Sequence, residues 1–411
     1  MIQEFSVKNF KSIKEKQTIS FTANKRIESG AEEFLCVDMN KSVKLLKLAV
    51  LYGHNASGKT NLFLALDFLR TLVIDGQETK DKEIGFIPFK FDEETLKLPG
   101  EFSLIFYINK IKYHYQVVLN NQHIHSETLD FWPEGRKASI FNRTGDSAKQ
   151  ISRITFGLKA ELSADDKNFI VGNTLENNTV LYAYQRTNVA NEVLNGVVTY
   201  FRTTLLPLIG PNTLLRHWSM SQTLKNGEDK EILLQLIRKA DFQITAFEVK
   251  KIVEPVDEKD FEEIERNELY FSHETSKGSF KLASTEESEG TQRYYRIGGV
   301  LRKLITSAHV ASIDELETSL HPDLVTFLLK VFLTNSQDSQ IIATTHAQYL
   351  MELDYMRRDM IWFCEKADDG SSQYFSAQEF KIHKNIRLDN YYRIGKLGAK
   401  PSLGTPFLEG N

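Results

Sequence analysis

The segment GHNASGKT, residues 53–60, carries two glycines, a lysine and a threonine at a spacing that suits the binding of phosphate. Gly53 and Gly58 permit backbone torsions that bring several N–H groups around one anion. Lys59 would reach the outer phosphates of a nucleotide, and Thr60 would be a ligand of Mg²⁺. Because every fixed position of G-x-x-x-x-G-K-[ST] is matched, a phosphate-binding loop is favoured over a chance glycine-rich turn.

Two adjacent acids, Asp314 and Glu315, end the segment HVASIDE in the last third of the chain. Asp314 could hold Mg²⁺ directly or through water, and Glu315 could orient and deprotonate an attacking water molecule. Acidic pairs also occur in solvated turns, so the pair alone leaves both interpretations open. His309 and Ser312 make the preceding run less apolar than is usual for a strand that ends in such acids.

Two further positions could contact phosphate. Ser288 and Thr291 are good helix N-caps, and Gly290 between them would let a phosphate approach the backbone. An ordinary helix cap explains the same residues. His346 closes the apolar segment QIIATTH, where it could sense the γ-phosphate of a nucleotide or simply cap the strand at the surface.

The elements around these residues follow from hydrophobic spacing. The run LLKLAVLY at 45–52 predicts a strand, and apolar residues at helical spacing from Leu62 to Val73 predict a helix. Alternating apolar residues predict an N-terminal hairpin and further strands at 89–131 and 244–253, and the acidic segment 257–267 is predicted to be a solvated loop or helix face. Helix and strand alternate after Gly290, which is typical of a mainly parallel sheet.

Composition limits the classes of function. The chain has 411 residues and a formal net charge of −4, so any contact with nucleic acid would need a local patch. Two isolated cysteines, Cys36 and Cys364, argue against a disulfide framework or zinc site and suit a reducing compartment. The N-terminus lacks the apolar region of a signal peptide, and no run reaches the roughly 18 apolar residues of a membrane span. We therefore expect a cytoplasmic protein without a membrane partner.

The order of these motifs resembles the ABC ATPase superfamily: a P-loop near the start, then a Ser-x-Gly-Thr turn, an Asp-Glu strand end and a strand-terminal histidine within 288–346. The opening VKNFKSIKE is similar to the SMC/RecF/OLD branch. The stretches ESEGTQR, IDELETSLHPDL and ATTHAQYL, and the ending YYRIGKLGAK, resemble the stand-alone abortive-infection ATPases of the RloA and AbiL type and the ATPase of the PARIS anti-phage system. The resemblance covers both ends of the chain and not the middle, residues 92–280.

The resemblance implies ATP and Mg²⁺ as cofactors, with Glu315 and His346 as catalytic residues and Thr60 and Asp314 as metal ligands. The ATP-binding residues would be Lys11, Gly53, Asn55, Ala56, Ser57, Gly58, Lys59, Thr60 and Asn61. The signature loop, which contacts the γ-phosphate held by the other subunit, would be Ser288, Glu289, Gly290 and Thr291. The D-loop across the dimer interface would be Thr318, Ser319, Leu320 and His321. Ser12, beside Lys11, would lie near the adenine or ribose, and Gln185 is the best candidate for the Q-loop glutamine.

Two features of this branch are missing. No long heptad run separates the halves of the chain, so no coiled-coil arm is expected. Residues 347–411 are too few for the nuclease domain that OLD-type proteins carry after the histidine, and Asp368–Ser371 reads more simply as a hairpin turn. Basic and aromatic residues alternate in the C-terminal segment 381–400, which could contact nucleic acid or form a solvated or partner-docking face.

The sequence therefore predicts an α/β fold: a two-lobed ABC-type ATPase head with a mixed sheet, an antiparallel subdomain and a helical insertion. Lobe I is expected at 1–188, the insertion at 189–240 and lobe II at 241–411. A head-to-tail homodimer or higher homo-oligomer would complete two composite ATP sites.

The leading hypothesis is a regulatory ATPase that serves as the sensor or switch of a bacterial anti-phage system and controls a separately encoded toxic effector. A RecF-like ATPase of DNA repair or DNA handling is the alternative, and a nuclease is a third. The sequence leaves open the effector, the trigger, the oligomer size, the binding of DNA or RNA, and whether ATP binding or hydrolysis transmits the signal.

Overall fold

The computed structural model describes residues 1–27, 32–146, 151–213, 227–240, 243–257, 260–380 and 388–397. The chain divides into two compact units, each assembled from separate stretches of sequence. The first unit comprises Met1–Ile209, Ala308–Glu315 and Asp338–Asn411, and the second comprises Gly210–Ser307 and Leu316–Gln337. Strands formed after residue 308 pair with the strand Leu48–Gly53, so both ends of the chain belong to the first unit.

The strands are numbered here in chain order. They are β1 (Ile2–Lys8), β2 (Gln17–Ser20), β3 (Cys36–Asp38), β4 (Lys44–Leu46), β5 (Leu48–Gly53), β6 (Gly100–Ile108), β7 (Ile111–Leu119), β8 (Ile124–Phe131), β9 (Ala138–Asp146), β10 (Ile151–Phe156), β11 (Ile244–Asp257), β12 (Asp260–Thr275), β13 (Gly278–Ala283), β14 (Val310–Ile313), β15 (Gln340–Thr344), β16 (Ile361–Lys366) and β17 (Ser372–Ser376).

The helices are numbered in the same way. They are α1 (Glu32–Leu35), α2 (Lys59–Ile74), α3 (Ala164–Asn173), α4 (Val180–Gln185), α5 (Glu192–Thr199), α6 (Gly227–Lys239), α7 (Glu289–Thr306), α8 (Pro322–Asn335) and α9 (Leu388–Arg393), with a π-helix at Tyr200–Thr204. The predicted insertion 189–240 thus contains α5, the π-helix and α6, while residues 214–226 lie outside the described residues.

A five-stranded sheet in the first unit has the order β14-β15-β5-β16-β17. The strands β14, β15, β5 and β16 run parallel, and β17 is antiparallel to β16. All residues of β5, β14 and β15 are buried, as expected for parallel strands that are covered on both faces. Because the strands are parallel, the carboxyl ends of β5, β14 and β15 meet at one edge of the sheet.

A seven-stranded antiparallel sheet, order β10-β9-β8-β7-β6-β1-β2, belongs to the same unit. The predicted N-terminal hairpin is confirmed, since Phe5 lies opposite Ile19 in β2 and opposite Leu104 in β6. Helix α2 buries Leu62, Leu66, Leu69 and Val73, the apolar residues of the predicted helical spacing. These side chains share one hydrophobic core with both sheets, and burial of this apolar surface holds α2 in place behind the P-loop.

The second unit contains a three-stranded antiparallel sheet, β11-β12-β13, and the helices α6, α7 and α8. Helices α6 and α7 are joined by the hydroxyl of Tyr294, which donates a hydrogen bond to Leu236 O (3.2 Å). The prediction of a loop or helix face at 257–267 is wrong, because β11 and β12 pair as far as Asp257 and Asp260. Cross-strand pairing uses backbone groups, which acidic side chains do not block, so composition was a poor guide there.

These elements confirm the predicted α/β class, with a P-loop strand in a mixed sheet and a separate antiparallel sheet. The longest described helix, α7, has 18 residues, and the described part of the chain contains no long coiled coil. Among the described helices, none combines the length and the apolar character that crossing a membrane requires.

Candidate nucleotide-binding site

The predicted phosphate-binding loop connects the end of β5 to the start of α2. Gly58 is the N-cap of α2 and has φ 108° and ψ 12°, and Ala56 also has a positive φ of 62°. These left-handed residues fold the chain back, so the N–H groups at the start of α2 face outward from the helix end. A helix N-terminus of this kind favours an anion through its unpaired N–H groups and its dipole.

Lack of space, as well as backbone conformation, explains why glycine occupies both fixed glycine positions of the loop. A Cβ on Gly53 would lie 2.5 Å from Cys364 O, and a Cβ on Gly58 would lie 2.0 Å from Ser372 Oγ. Real Cβ atoms do not approach other atoms this closely, so β16 and β17 leave space only for glycine at these two positions.

The Lys59 ammonium lies inside the loop. Its Nζ donates hydrogen bonds to Gly53 O (2.9 Å) and His54 O (3.1 Å), and the residue is only 7% exposed. A buried ammonium needs negative partners to offset its desolvation. The loop therefore presents one positive charge, held by carbonyl dipoles, at the place where the backbone N–H groups would bind phosphate.

Asp314 and Thr60, far apart in sequence, meet at the carboxyl edge of the five-stranded sheet. The Thr60 hydroxyl donates to Asp314 Oδ2 (2.9 Å), and the carboxylate is largely buried. A hydroxyl and a carboxylate oxygen suit a hard cation such as Mg²⁺, which takes its other ligands from water and nucleotide phosphates. The described residues include no cluster of three or more His, Cys, Asp or Glu side chains that could hold a metal ion.

Thr344, at the end of β15, is a site residue that sequence reasoning missed. Its hydroxyl donates to Asp314 Oδ1 (2.6 Å) and accepts a hydrogen bond from the backbone N–H of Glu315 (2.8 Å). The residue is completely buried. One hydroxyl therefore holds the Asp314 carboxylate and the Glu315 backbone together, and the only sequence signal was its place two residues before His346.

Glu315 and His346 lie at the same edge of the sheet with exposed side chains. Glu315 has a positive φ of 50°, a conformation that costs a non-glycine residue roughly 1–3 kcal/mol and is concentrated at functional sites. His346 follows Thr345, whose N–H donates to the carbonyl of Leu51 (3.1 Å) in β5, the strand that leads into the P-loop. His309 and Ser312, whose polarity seemed unusual for this strand, are both buried, and His309 Nδ1 is bonded to Thr203 O (2.9 Å).

The β1–β2 turn touches the P-loop through Ser12. Ser12 Oγ is 2.7 Å from Ser372 Oγ and accepts a hydrogen bond from Asn61 Nδ2 (2.6 Å). The neighbouring residue Lys11 has φ 51° and donates its backbone N–H to Ile87 O (2.8 Å). The structure therefore brings Asn61 and Ser12 together beside Gly58, and Lys11 lies next to them in the chain.

The predicted signature turn lies in the second unit, at the start of α7. Ser288 Oγ accepts a hydrogen bond from the Thr291 N–H (3.1 Å) and lies 2.8 Å from Thr291 Oγ1. A Cβ on Gly290 would be 3.1 Å from Ser319 O of the predicted D-loop, and Ser319 has φ 60°. The two predicted loops are therefore neighbours, and the Ser288 hydroxyl also serves as the N-cap of α7. His321 Nδ1 caps α8 by accepting from the Asp323 N–H (3.3 Å).

Gln185 and the C-terminal aromatic residue Tyr392 do not belong to the site. Gln185 Nε2 donates to Val73 O (2.7 Å), which lies about 20 Å along α2 from Lys59 at 1.5 Å per residue, so the Q-loop interpretation is wrong. In the C-terminal segment, Tyr392 stacks on Phe363 with 5.6 Å between ring centroids and is buried, so its ring is unavailable for nucleic acid. Residues 381–387 and 398–411 lie outside the described residues.

Comparison with known proteins agrees with this geometry. A family model with the description "AAA domain, putative AbiEii toxin, Type IV TA system" matches residues 48–178 and 218–352, which is more than half of the chain. The chain belongs to this family of AAA domains. Together with the P-loop, this membership defines a nucleotide-binding ATPase domain. No curated protein matches the chain.

Solved structures with some similarity include head domains of SMC proteins. The SMC head domain of Thermotoga maritima has 13% sequence identity and a TM-score of 0.42, with 91% of this chain and 98% of that chain covered. An SMC head bound to the C-terminal winged-helix domain of ScpA has 16% identity and a TM-score of 0.38, with 95% and 99% covered. An SMC head with an extended coiled coil, bound to a ScpA domain from Pyrococcus furiosus, has 12% identity and a TM-score of 0.41, with 97% and 99% covered.

Proposed function

We propose that this protein binds ATP with Mg²⁺ at residues 53–61 and hydrolyses it. The observation that carries the proposal is the contact between Thr60 and Asp314 (2.9 Å) directly beside the P-loop. This contact joins a hydroxyl at the start of α2 to a carboxylate at the end of β14. A bound Mg²⁺, held by these two oxygens, would neutralise charge that develops on the phosphates.

The other residues of the site have separate roles in this proposal. Lys59 and the N–H groups at the start of α2 bind and orient the phosphates. Glu315, exposed at the edge of the sheet, orients the attacking water and accepts its proton. Thr344 holds Asp314 and the Glu315 backbone in register, and His346 contacts the γ-phosphate from the end of β15. Catalysis would thus depend mainly on positioning and electrostatic stabilisation.

We further propose that two chains associate head to tail, so that the signature turn Ser288–Thr291 of one chain meets the ATP held by the other. The turn combines two hydroxyls with the N-terminus of an 18-residue helix, which suits an anionic γ-phosphate. The neighbouring D-loop, Thr318–His321, would lie in the same interface. ATP binding would then close the dimer, and hydrolysis would release it.

The biological role that we propose is a nucleotide-driven switch in bacterial anti-phage defence, controlling a separately encoded toxic effector. The family description, with its reference to a toxin and a Type IV TA system, supports this setting. So does the resemblance of both chain ends to the RloA- and AbiL-type ATPases and the PARIS ATPase.

The test of ATP hydrolysis uses Glu315→Gln and Lys59→Ala. Glu315→Gln should bind ATP, form dimers in its presence and hydrolyse it at least about 100-fold more slowly, in line with the usual contribution of a general base. Lys59→Ala should lose ATP binding. Lys47→Ala is the matched control, because Lys47 is also a buried lysine and directly precedes β5, at the end of the strand away from the P-loop. The Lys47→Ala variant should retain ATP hydrolysis. Normal phosphate release by Lys59→Ala and Glu315→Gln would refute the assignment.

The test of the switch uses the same variants, tagged and purified from the native host. A stoichiometric second protein that is retained by Glu315→Gln and changed by Lys59→Ala would support control of an effector. Nucleic acid without a protein partner would instead support the alternative function, a RecF-like ATPase that handles DNA.

A further inference from the structure

The β16–β17 hairpin, residues 361–376, contacts the backbone of the P-loop. Ser57 O accepts hydrogen bonds from Ser372 Oγ (2.6 Å) and Cys364 Sγ (3.3 Å). Gly58 O accepts a hydrogen bond from Tyr374 Oη (2.7 Å). The hairpin therefore anchors two consecutive carbonyl groups of the loop.

These two carbonyls determine the direction of two N–H groups. In a planar trans peptide, the C=O of one residue and the N–H of the next point in opposite directions. Anchoring the Ser57 carbonyl on the hairpin therefore turns the Gly58 N–H away from the hairpin. Anchoring the Gly58 carbonyl does the same for the Lys59 N–H. These are two of the N–H groups that the P-loop motif uses to cradle phosphate.

The hydroxyl groups that anchor the loop are themselves held in place. Ser372 is 1% exposed, its N–H donates to Ser12 O (2.7 Å), and its Oγ is 2.7 Å from Ser12 Oγ. The Tyr374 N–H donates to Gln17 Oε1 (2.9 Å). Burial raises the pKa of the Tyr374 phenol well above its usual value, so the hydroxyl remains a donor at every pH at which the protein would be assayed.

We propose that Ser372 and Tyr374 are positioning residues of the nucleotide site, which preset the Gly58 and Lys59 N–H groups toward the phosphates of the bound nucleotide. This inference rests on the proposed nucleotide binding. A loop whose N–H groups already point at the anion loses less conformational freedom on binding. Without the two hydroxyls, the Ser57 carbonyl would keep only the Cys364 thiol (3.3 Å) and the Gly58 carbonyl only the Asn61 N–H (2.9 Å). More of the ordering of these peptides would then fall to the ligand.

The test measures the Kd of ADP and ATP by titration calorimetry for Tyr374→Phe and Ser372→Ala. Each variant should bind both nucleotides about tenfold more weakly, because one ordering hydrogen bond is worth about 1.4 kcal/mol, a factor of ten in Kd. In steady-state hydrolysis the KM for ATP should rise by a similar factor, while kcat at saturating ATP changes less than about threefold. The reason is that these N–H groups bind phosphate in the ground state and the transition state alike.

Tyr184→Phe is the matched control. Tyr184 is also a buried tyrosine, and its hydroxyl donates to a backbone carbonyl, Asn191 O (3.2 Å), away from the P-loop. We expect Tyr184→Phe to lower the thermal midpoint about as much as Tyr374→Phe does, and to leave both Kd values unchanged.

The outcomes separate this inference from the proposed function. If wild-type protein binds neither ADP nor ATP, nucleotide binding itself is refuted. If wild-type protein binds both, and Tyr374→Phe and Ser372→Ala lose stability but keep the wild-type Kd and KM, the hydroxyls are merely structural and the inference is overturned. Should Tyr374→Phe fail to fold, Ser372→Ala decides the question alone, because it removes only one small hydroxyl, from the contact with the neighbouring carbonyl of Ser57.

Discussion

Replacing Thr344 with valine removes one hydroxyl from the candidate site and nearly preserves the shape of the side chain. In the native structure this hydroxyl donates to Asp314 Oδ1 (2.6 Å) and accepts from the Glu315 N–H (2.8 Å). Because Thr344 is completely buried, water cannot easily take the place of the hydroxyl. The Thr344→Val variant therefore leaves the Asp314 carboxylate and the Glu315 backbone N–H each with one fewer partner.

The size of the effect follows from the type of hydrogen bond. A bond to a charged group contributes about 1.5–3 kcal/mol, and loss of about 2 kcal/mol from the transition state lowers kcat roughly 30-fold. Thr60 still donates to the other carboxylate oxygen of Asp314, so the site should weaken and not disappear. The P-loop is untouched, so the affinity for ADP should change less than about threefold in line with loss of a transition-state interaction.

The assay is Mg²⁺-dependent phosphate release, with kcat and KM measured separately, beside thermal unfolding of the same samples. Thr344→Ser, which restores the hydroxyl, should recover most of kcat. Thr179→Val is the matched control, since Thr179 is a buried helix cap that accepts from the Tyr182 N–H (2.9 Å). Loss of the Thr179 cap should lower the free energy of unfolding by about 1 kcal/mol and leave kcat unchanged.

Two results would refute this reasoning. One is a wild-type kcat in Thr344→Val despite a lower thermal midpoint, which would mean that the hydroxyl only supports packing. The other is an equal fall of kcat in Thr344→Val and Thr179→Val, which would mean that activity follows global stability.

Three further predictions concern stability and reactivity. Burial raises the pKa of the Cys364 thiol to about 11, and the Cys364 Sγ contacts Ser57 O in the P-loop. Labelling of Cys364 by a thiol reagent at pH 8, followed by mass spectrometry, should therefore be slow in the folded protein and slower still when ADP is bound. Arg143→Met should lower the free energy of unfolding by about 3–5 kcal/mol in urea titrations, because it leaves the fully buried Glu127 carboxylate 3.7 Å away without its cation, whereas a loss below about 1 kcal/mol would show that the pair is dispensable. Burial lowers the pKa of the His114 imidazole below its usual 6.5, so as the pH falls the imidazole is protonated in the unfolded state before it is protonated in the folded state. The free energy of unfolding should therefore fall as the pH drops below about 6.5. The variant His114→Gln should show a weaker dependence of that free energy on pH.

The local parts of the site could be predicted from sequence. The P-loop is a contiguous motif, and the strand before it and the helix after it are encoded by apolar runs of the right length, so Gly53, Gly58, Lys59 and Thr60 needed no tertiary information. The strand ends that carry Asp314 and His346 were visible for the same reason. A buried parallel strand is a short apolar segment, and a polar residue that follows it lies at the edge of the sheet.

The failures share a physical cause. Gln185 was chosen from its sequence context, but its partner Val73 O is set by how α4 packs on α2. The acidic segment 257–267 was judged by composition, although antiparallel pairing of β11 with β12 depends on backbone groups that composition does not report.

The sequence by itself determined that this protein carries a phosphate-binding loop and, far downstream, acids and a histidine at strand ends. Only the tertiary structure decided that Thr344 joins those acids and that Ser372 and Tyr374 hold the loop. A threonine, a serine and a tyrosine in strands are ordinary residues until the order of the sheet is known. Placing β15 and β16 on either side of β5 is a matter of long-range packing, and that packing turns these hydroxyls into neighbours of the P-loop and of its partner acids.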